Sequence, residues 1–220
     1  MEEFKLLGEE ELGKLSIEEL QKYTLELTQY TQMLEERAAK DPLTGLNNRC
    51  AMEKDLKKLK QGDHAFLIVD VDNFKGISDN YGHSIGDHVL RRLAGILEKN
   101  TRVSRGQDIV YEGKSYRYGG DEFAVLLVDI NPEDVPYVAE RIVNGIKTQA
   151  EKSAKAIERL WRMKGYEPSE TEKNLPDDIR NIGVSVGIKV FSVYRDGVLK
   201  EADEALRYVK QNGKNGYYIA

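Results

Sequence analysis

Two pairs of carboxylates stand next to apolar runs and could do chemistry together. Asp70 follows directly on the apolar residues 66–69 and Asp72 comes two residues later, while Asp121 and Glu122 stand between a glycine pair and a second apolar run. Taken singly, an acidic strand end is usually a solvated turn, and a glycine pair is a hairpin turn because glycine adopts positive φ freely. If the two runs are neighbouring strands, however, their turns gather hard oxygen ligands at one sheet edge. This is the environment in which Mg²⁺ holds substrate phosphates.

Further segments set these carboxylates in a pattern that covers most of the chain. Residues 117–123 read Arg-Tyr-Gly-Gly-Asp-Glu-Phe, so the chain resembles the GGDEF diguanylate cyclase family, whose full signature they contain. Other segments resemble the family pattern in the same order: 41–49, 70–75, 81–87, 185–187, 202–206, Lys210 and 213–215. The resemblance implies an α/β fold with a mostly antiparallel central sheet flanked by helices, like the palm of nucleotide polymerases, preceded by an N-terminal signalling helix.

The resemblance also implies a reaction, in which two molecules of GTP are joined into cyclic di-GMP and two pyrophosphates are released. Asp70, the carbonyl of Val71 and Asp121 would hold Mg²⁺ or Mn²⁺, because hard oxygen ligands suit these ions. Glu122 would stand beside the metal. Asp121, Glu122 and Lys75 would form the catalytic set.

The substrate-binding residues are implied in the same way. Lys75 and Lys210 would neutralise the triphosphate as point charges. Gly119 and Gly120 would let the backbone approach the nucleotide without a Cβ in the way. Asp87 would read guanine, because an ionised carboxylate accepts from both adjacent donors on its Watson–Crick edge. The full set is Phe74, Lys75, Ser78, Asp87, Gly119, Gly120, Lys210 and Lys214.

Two of the carboxylates have structural interpretations as well. Asp87 is also the acidic residue that answers Ser84 in the first turn of a helix, and both roles can hold at once. For Asp72 a turn-capping role is preferred over a metal-binding one.

Two positions depart from the family pattern. Ser78 stands where the family usually has Asn, and its shorter arm with one hydroxyl is expected to weaken recognition of the base. Arg105 and Asp108 match the letters of the family's inhibitory Arg-x-x-Asp, but several extra residues separate them from Gly119. Residues 111–116 are predicted to form an added hairpin there. We therefore expect cyclic di-GMP to be at most a weak product inhibitor.

The symmetry of the product bears on the partners of the chain. If each domain binds one GTP, two half-sites must face one another in a two-fold homodimer. An alternative is a GGDEF module that binds GTP or a cyclic dinucleotide without cyclising it; Ser78 favours this reading, and the intact acidic and basic residues oppose it. A third possibility is a dimerising helix whose attached domain only transmits a signal.

Strands and helices that could position these residues alternate after residue 40. Apolar runs predict strands at 65–70 and 123–128. Alternation predicts a further strand at 184–191, and residues 217–219 are expected to close the sheet. One-sided apolar periodicity predicts helices at 85–98, from Asn131-Pro132 to about Met163, and at 202–211. Residues 164–181 contain Gly165, Pro168, Pro176 and several charges and are predicted to be a loop. The segment 147–180 is longer than is typical of the family and has no functional assignment.

Residues 1–40 form a segment of different character. Ser16 and Glu19 form a capping box, and Leu20, Leu27 and Leu34 then recur every seven residues. A two-stranded coiled coil and an amphipathic helix packed on its own domain explain this pattern equally well. Asp41-Pro42 stops the helix, so the predicted domains are 1–40 and 41–220.

Composition excludes several classes of function. The 33 Lys and Arg against 38 Asp and Glu give a formal charge of −5, whereas a binder of nucleic acid backbones needs a basic excess. No apolar run approaches the length of a membrane span. The single cysteine, Cys50, cannot form an intramolecular disulfide. We therefore expect a cytoplasmic protein without nucleic acid as a partner.

Overall fold

The structure is a computed structural model that describes residues 5–105 and 108–220, with the backbone alone described within 102–112. The chain divides into two compact units, Met1–Lys40 and Asp41–Ala220. In the described parts of both units, no helix combines the length and the apolar character that crossing a membrane requires.

The first unit consists of two helices, α1 (Glu9–Leu12) and α2 (Ile17–Ala38). The predicted capping box begins α2: the Ser16 amide donates to Glu19 Oε2 at 2.8 Å, and Ser16 Oγ accepts from the Glu19 amide. No residue of this fully described helix is buried, and Leu20 and Leu34 are 37% and 44% exposed. The predicted helix is thus present, and what its heptad face contacts stays a prediction.

The second unit is built on a six-stranded sheet with the order β1-β5-β6-β2-β7-β8. Its strands are β1 (Asn47–Asn48), β2 (His64–Val71), β5 (Lys114–Arg117), β6 (Glu122–Leu127), β7 (Val184–Phe191) and β8 (Gly216–Ile219). The inner pairs are antiparallel, whereas β1–β5 and β7–β8 at the two edges are parallel. The predicted fold class is confirmed, with parallel pairing confined to the edges.

Helices cover both faces of the sheet. They are α3 (Arg49–Lys57), α4 (Phe74–Tyr81), α5 (His83–Asn100), α6 (Val135–Lys164), α7 (Leu175–Arg180) and α8 (Gly197–Gln211). Along β2, Leu67 and Val69 pack into the core under α5 and α6, while Phe66 and Ile68 pack with α3 and α8. All eight residues of β2 are buried, which is why residues 65–69 are continuously apolar before Asp70.

Two predicted elements are wrong. The predicted loop 164–181 contains a short 3₁₀ helix, Glu172–Asn174, and α7, because Ile179 is buried in the core and tertiary packing outweighs the local loop composition. The added hairpin lies earlier than residues 111–116: it pairs β3 (Arg102–Arg105) with β4 (Asp108–Glu112). Lys114–Arg117 belongs instead to the main sheet, where Tyr116 is fully buried.

Candidate active site

The two acidic turns meet at one end of the central strand pair. β2 and β6 are antiparallel, and their register places Asp70 opposite Glu122. Just beyond, the Val71 amide lies 3.4 Å from the Asp121 carbonyl oxygen. The sheet therefore brings both turns to one edge, here called the acidic edge, which carries Asp70, Asp121 and Glu122.

The carboxylates at this edge influence one another. Burial raises the pKa of Asp70, and the neighbouring Asp121 and Asp72 raise it further, against the lowering effect of Lys210. Burial also raises the pKa of Glu122, with Asp70 as the next largest cause. Clustered carboxylates that resist ionisation together are stabilised by a nearby cation.

Lys210 supplies one such cation. Its Nζ lies 2.8 Å from Asp70 Oδ2, so the last turn of α8 reaches the end of β2. Sequence reasoning placed Lys210 on the triphosphate, and in this structure it forms an ion pair with a predicted metal ligand instead.

The donor set at this edge suits a hard divalent cation. Asp70, Asp121 and the Val71 carbonyl offer only oxygen ligands, which Mg²⁺ and Mn²⁺ prefer. Within the described residues, no group of three or more His, Cys, Asp or Glu side chains is arranged to hold a metal ion. The predicted set needs only two such side chains, so substrate and water oxygens would complete it.

Asp72 lies on a different network from its neighbour Asp70. It is 4% exposed and accepts from Ser185 Oγ at 2.8 Å and from the Asn215 amide at 2.9 Å. These contacts fix the start of β8 against β2 and β7. Asp72 therefore has a structural role here.

The glycine turn before β6 is held by Arg117, a residue that sequence reasoning left without a role. Its guanidinium donates to the carbonyl oxygens of Gly119 at 3.2 Å and Gly120 at 2.7 Å, and it pairs with Asp41 Oδ1 at 3.2 Å. The signal was available, because both Arg117 and Asp41 lie in segments that match the family pattern. A single guanidinium thus joins the signature turn to the start of the domain.

The surroundings of Asp41 favour its ionised form, which is the form that pairs with Arg117. Burial raises its pKa, but hydrogen bonds from Thr44 and Arg117 outweigh burial and hold the pKa below its usual value. The carboxylate stays ionised and can hold Arg117 in place.

Gly119 and Gly120 do not adopt the positive φ that a glycine pair in a hairpin turn was expected to use. The described glycines with positive φ are Gly45, Gly82, Gly165 and Gly213, so neither Gly119 nor Gly120 uses the left-handed region. A Cβ at Gly119 would come within 2.8 Å of Glu122 Oε2, whereas one at Gly120 would meet nothing within 4 Å. Gly120 therefore leaves space open beside the acidic edge.

That space belongs to a pocket of about 420 Å³, here called the polar pocket. It lies between the glycine turn and the helices α4 and α5. Its lining residues are Phe74, Lys75, Ser78, Asp79, His83, Gly86, Asp87, Leu90, Arg117, Gly120 and Asp121. The fold thus collects Lys75 and Asp121 from the predicted catalytic set, and most of the predicted substrate-binding residues, around one cavity.

Special backbone conformations set the two helices around this pocket. Asn73 adopts a left-handed conformation with φ 63° immediately before α4. Gly82, with φ 84°, ends α4 and begins α5. Lys75 is exposed in the first turn of α4, and Asp87 lies in the first turns of α5. Both side chains line the same cavity.

Two side chains in the polar pocket already have partners. Ser78 Oγ lies 3.1 Å from His83 Nδ1, across the junction between the helices. Asp87 Oδ2 lies 3.8 Å from Arg91 Nη2, one turn further along α5. Both contacts are partly exposed, so a nucleotide could replace them.

Other predicted site residues lie outside the lining of the polar pocket. Lys214 donates to Asn73 Oδ1 at 3.0 Å and so supports the turn that begins α4. Gly119, Val71, Glu122 and Lys210 belong to the acidic edge next to the pocket. Arg105 and Asp108 face one another in the backbone register of β3 and β4, and their side chains lie outside the described part of the chain.

Comparison with known proteins assigns the chain to a family. The family model described as "Diguanylate cyclase, GGDEF domain" matches residues 38–164, more than half of the chain. The chain therefore belongs to the GGDEF diguanylate cyclase domain family.

Curated relatives agree with this assignment. The response regulator PleD of Caulobacter vibrioides is 33% identical over 189 residues, which cover 82% of this chain and 36% of that protein. The diguanylate cyclase DgcS of Shewanella oneidensis is 35% identical over 132 residues, which cover 57% of this chain and 41% of that protein. The chain thus spans less than half the length of either relative.

A solved structure supports the fold. The coiled coil and GGDEF domain of DgcB from Caulobacter crescentus, in complex with c-di-GMP, superposes with a TM-score of 0.66 at 22% identity. The match covers 93% of this chain and 97% of that chain.

Proposed function

We propose that the unit Asp41–Ala220 is a diguanylate cyclase that condenses two GTP into cyclic di-GMP and two pyrophosphates. The observation that carries this proposal is the polar pocket, which sets Lys75 and Asp87 around a cavity that ends at the acidic edge. A purine nucleoside triphosphate would place its base near Asp87 and its phosphates near Lys75 and Asp121.

In each half-reaction, the 3′-hydroxyl oxygen of one nucleotide attacks the α-phosphorus of the other. The new P–O bond forms as the bond to the β-phosphate bridging oxygen breaks, and pyrophosphate leaves. Glu122, whose pKa is raised by burial, is the group that would take the hydroxyl proton on its carboxylate. Lys75 would neutralise charge on the leaving phosphates.

Asp70, the Val71 carbonyl and Asp121 would hold Mg²⁺ or Mn²⁺. The bound ion would stabilise charge on the transferring phosphoryl group. Arg117 would keep the glycine turn in place, so that Gly120 leaves room for the nucleotide. Asp87 would select guanine by accepting from its two adjacent donors.

Two copies of the domain are needed, because each polar pocket would bind one GTP and the product has two-fold symmetry. The exposed leucines of α2 would bring the copies together by raising the effective concentration. We expect specific activity to rise with protein concentration, and a chain lacking residues 1–38 to need at least about tenfold more protein for the same specific activity. Unchanged specific activity of the truncated chain at every dilution would remove α2 from this role.

Product inhibition is proposed to be weak. Arg105 ends β3 and Asp108 begins β4, and residues 109–118 connect them to the glycine turn over a longer stretch than the family pattern has. Tight binding of cyclic di-GMP in calorimetry, lost in Arg105→Ala, would contradict this part of the proposal.

One observation favours the binding module as a second candidate. Lys210 pairs with Asp70 Oδ2 at 2.8 Å, so an incoming metal ion competes with this lysine for the carboxylate. A domain in which the ion pair persists would bind nucleotide in the polar pocket without cyclising it.

Incubation of the pure chain with GTP and Mg²⁺ or Mn²⁺ separates the two candidates. We expect cyclic di-GMP and pyrophosphate in a one-to-two ratio, resolved by mass spectrometry and a pyrophosphate assay, and little product from ATP. Saturable GTP binding without pyrophosphate release would instead identify a binding module.

A further inference from the structure

A second cavity lies on the far side of α5, away from the polar pocket. This cavity, here called the apolar pocket, has a volume of about 550 Å³ and is lined by α5, by α6 from Ile146 onward, and by α7. Its walls include Leu93, Ile146, Ile157, Trp161, Leu175 and Ile179. Cavities of about 300 to 1,000 Å³ with mainly apolar walls are typical of small-molecule sites.

The apolar pocket is formed by the part of the chain that had no functional assignment. α6 continues to Lys164, and the segment after it folds back through α7. Arg180 anchors this return, since its guanidinium pairs with Glu151 at 3.0 Å and Glu158 at 2.6 Å, both on α6. The unusual length of this region thus produces a walled cavity rather than a loose loop.

Few polar groups line the apolar pocket, and Arg92 is the one formally charged residue among the described lining residues. Arg92 and His88 come from α5, while Gln149 and Ser153 of α6 hydrogen-bond to each other at 3.2 Å. Among the described residues that line the cavity there is no Asp or Glu. A ligand with a long apolar tail and one negative charge would complement this arrangement, whereas an alkyl amine would meet Arg92 as a like charge.

We propose that the apolar pocket binds an amphipathic monocarboxylate, with its hydrocarbon tail between α6 and α7 and its carboxylate on the Arg92 guanidinium. The tail would replace water along apolar walls. The carboxylate would form a charge-assisted hydrogen bond at the rim, where a guanidinium can bind it with two donors.

Trp161 makes the proposal directly measurable, because it lines the apolar pocket and is the single tryptophan of the chain. Dodecanoate, below its micelle concentration, is titrated into the full chain while tryptophan fluorescence is followed. We expect a saturable change with one dodecanoate per chain, confirmed by calorimetry. Dodecylamine should bind at least about tenfold more weakly, the loss expected when a charged hydrogen bond is missing. Acetate should produce no change.

Two surface variants test the charged contact without disturbing the core. Arg92→Gln should weaken dodecanoate binding by about tenfold and leave binding of the uncharged dodecanol unchanged. Lys152→Gln is the matched control, because Lys152 is exposed on α6, does not line the cavity, and carries the same charge. It should bind dodecanoate like the wild type.

A third variant, Ala150→Phe, fills the cavity from α6 and should abolish binding. If this variant fails to fold, the Arg92→Gln and dodecanol comparison decides alone. The proposal is overturned if Arg92→Gln and wild type bind dodecanoate with equal affinity, or if the fluorescence change does not saturate. It is also overturned if the fluorescence change on adding dodecanoate coincides with dimer formation in light scattering. The last result would mean that a second copy covers the cavity.

Discussion

Helix α5 separates two pockets of opposite character. One face contributes Gly86 and Asp87 to the polar pocket, and the other contributes Val89 and Arg92 to the apolar pocket. The polar pocket depends on charged groups that are held by a few hydrogen bonds and left-handed residues. The apolar pocket depends on packing between long helices. Their placement shows that one helix with a 3.6-residue period can serve ionic chemistry on one side and hydrophobic burial on the other.

The two sides are also joined. Tyr81, at the end of α4, donates to Asp178 Oδ2 of α7 at 2.6 Å. A wall of the polar pocket is therefore tied to a wall of the apolar pocket by one hydrogen bond. Variants within one pocket should change the activity or stability that depends on that pocket alone. Variants of the Tyr81–Asp178 hydrogen bond should test the connection between the two pockets.

The largest effect is expected at the acidic edge. Asp70→Asn or Asp121→Asn removes a charged metal ligand, and cyclase activity should fall by more than about 100-fold, since even groups that merely support metal ligands contribute about 10- to 100-fold. The Trp161 fluorescence of the apolar side should stay unchanged. Asp63→Asn, at the opposite end of β2, is the matched control and should retain activity. Full turnover in both site variants would refute the metal assignment.

The next effect is one of stability, on the apolar side. Ile179 is 5% exposed and packs from α7 into the core, so Ile179→Ala should lower the free energy of unfolding by about 2 kcal/mol, near the lower end of the usual range because one side already faces the cavity. Urea unfolding measures this change, with Leu160→Ala as control because Leu160 is 52% exposed. Equal losses in the two variants would mean that α7 does not pack as described.

A smaller effect is expected in the polar pocket at Ser78. Ser78→Asn restores an amide that can both donate and accept, and a hydrogen bond worth about 1 kcal/mol should lower the apparent KM for GTP about fivefold. It should also sharpen selectivity over ATP. The assay mixes equal GTP and ATP and resolves the products by mass. If neither yield nor KM changes, Ser78 does not face the base.

The smallest effect is expected at the link between the pockets. Tyr81→Phe removes the donor to Asp178 and should cost about 1 kcal/mol of unfolding free energy at pH 8. Burial, followed by the Asp178 carboxylate, raises the pKa of Tyr81 to about 12. Because the protonated phenol is the donor, its contribution is complete below the usual value of 10.0 and is lost as the pH rises toward 12.

The measurement is urea unfolding of wild type and Tyr81→Phe from pH 8 to 11. The difference between them should shrink over the upper part of this range. Tyr218→Phe, at a residue that is 42% exposed, should show no such trend. A constant difference across the range would show that the hydrogen bond does not form.

Much of the fold and of the polar pocket could be predicted from the sequence, because it depends on local patterns. The strands β2 and β7 were predicted within one residue at either end, β2 from its apolar run and β7 from its alternation of apolar with other residues. The acidic residues at the end of β2 and in the signature turn could be identified from the sequence as candidate metal ligands. Their meeting at one edge needed only that the two strands be neighbours, which the resemblance to the GGDEF family implied.

Other features of the fold and of the site could be seen only in the tertiary structure, because these features depend on contacts between residues far apart in the chain. Arg117 reaches Asp41, Lys210 pairs with Asp70, and α7 forms where the local composition predicts a loop. No local pattern encodes these contacts, since each joins side chains from separate elements. The apolar pocket has the same origin: its walls lie on three helices, and the sequence determines the apolar character of each wall but not the space between them.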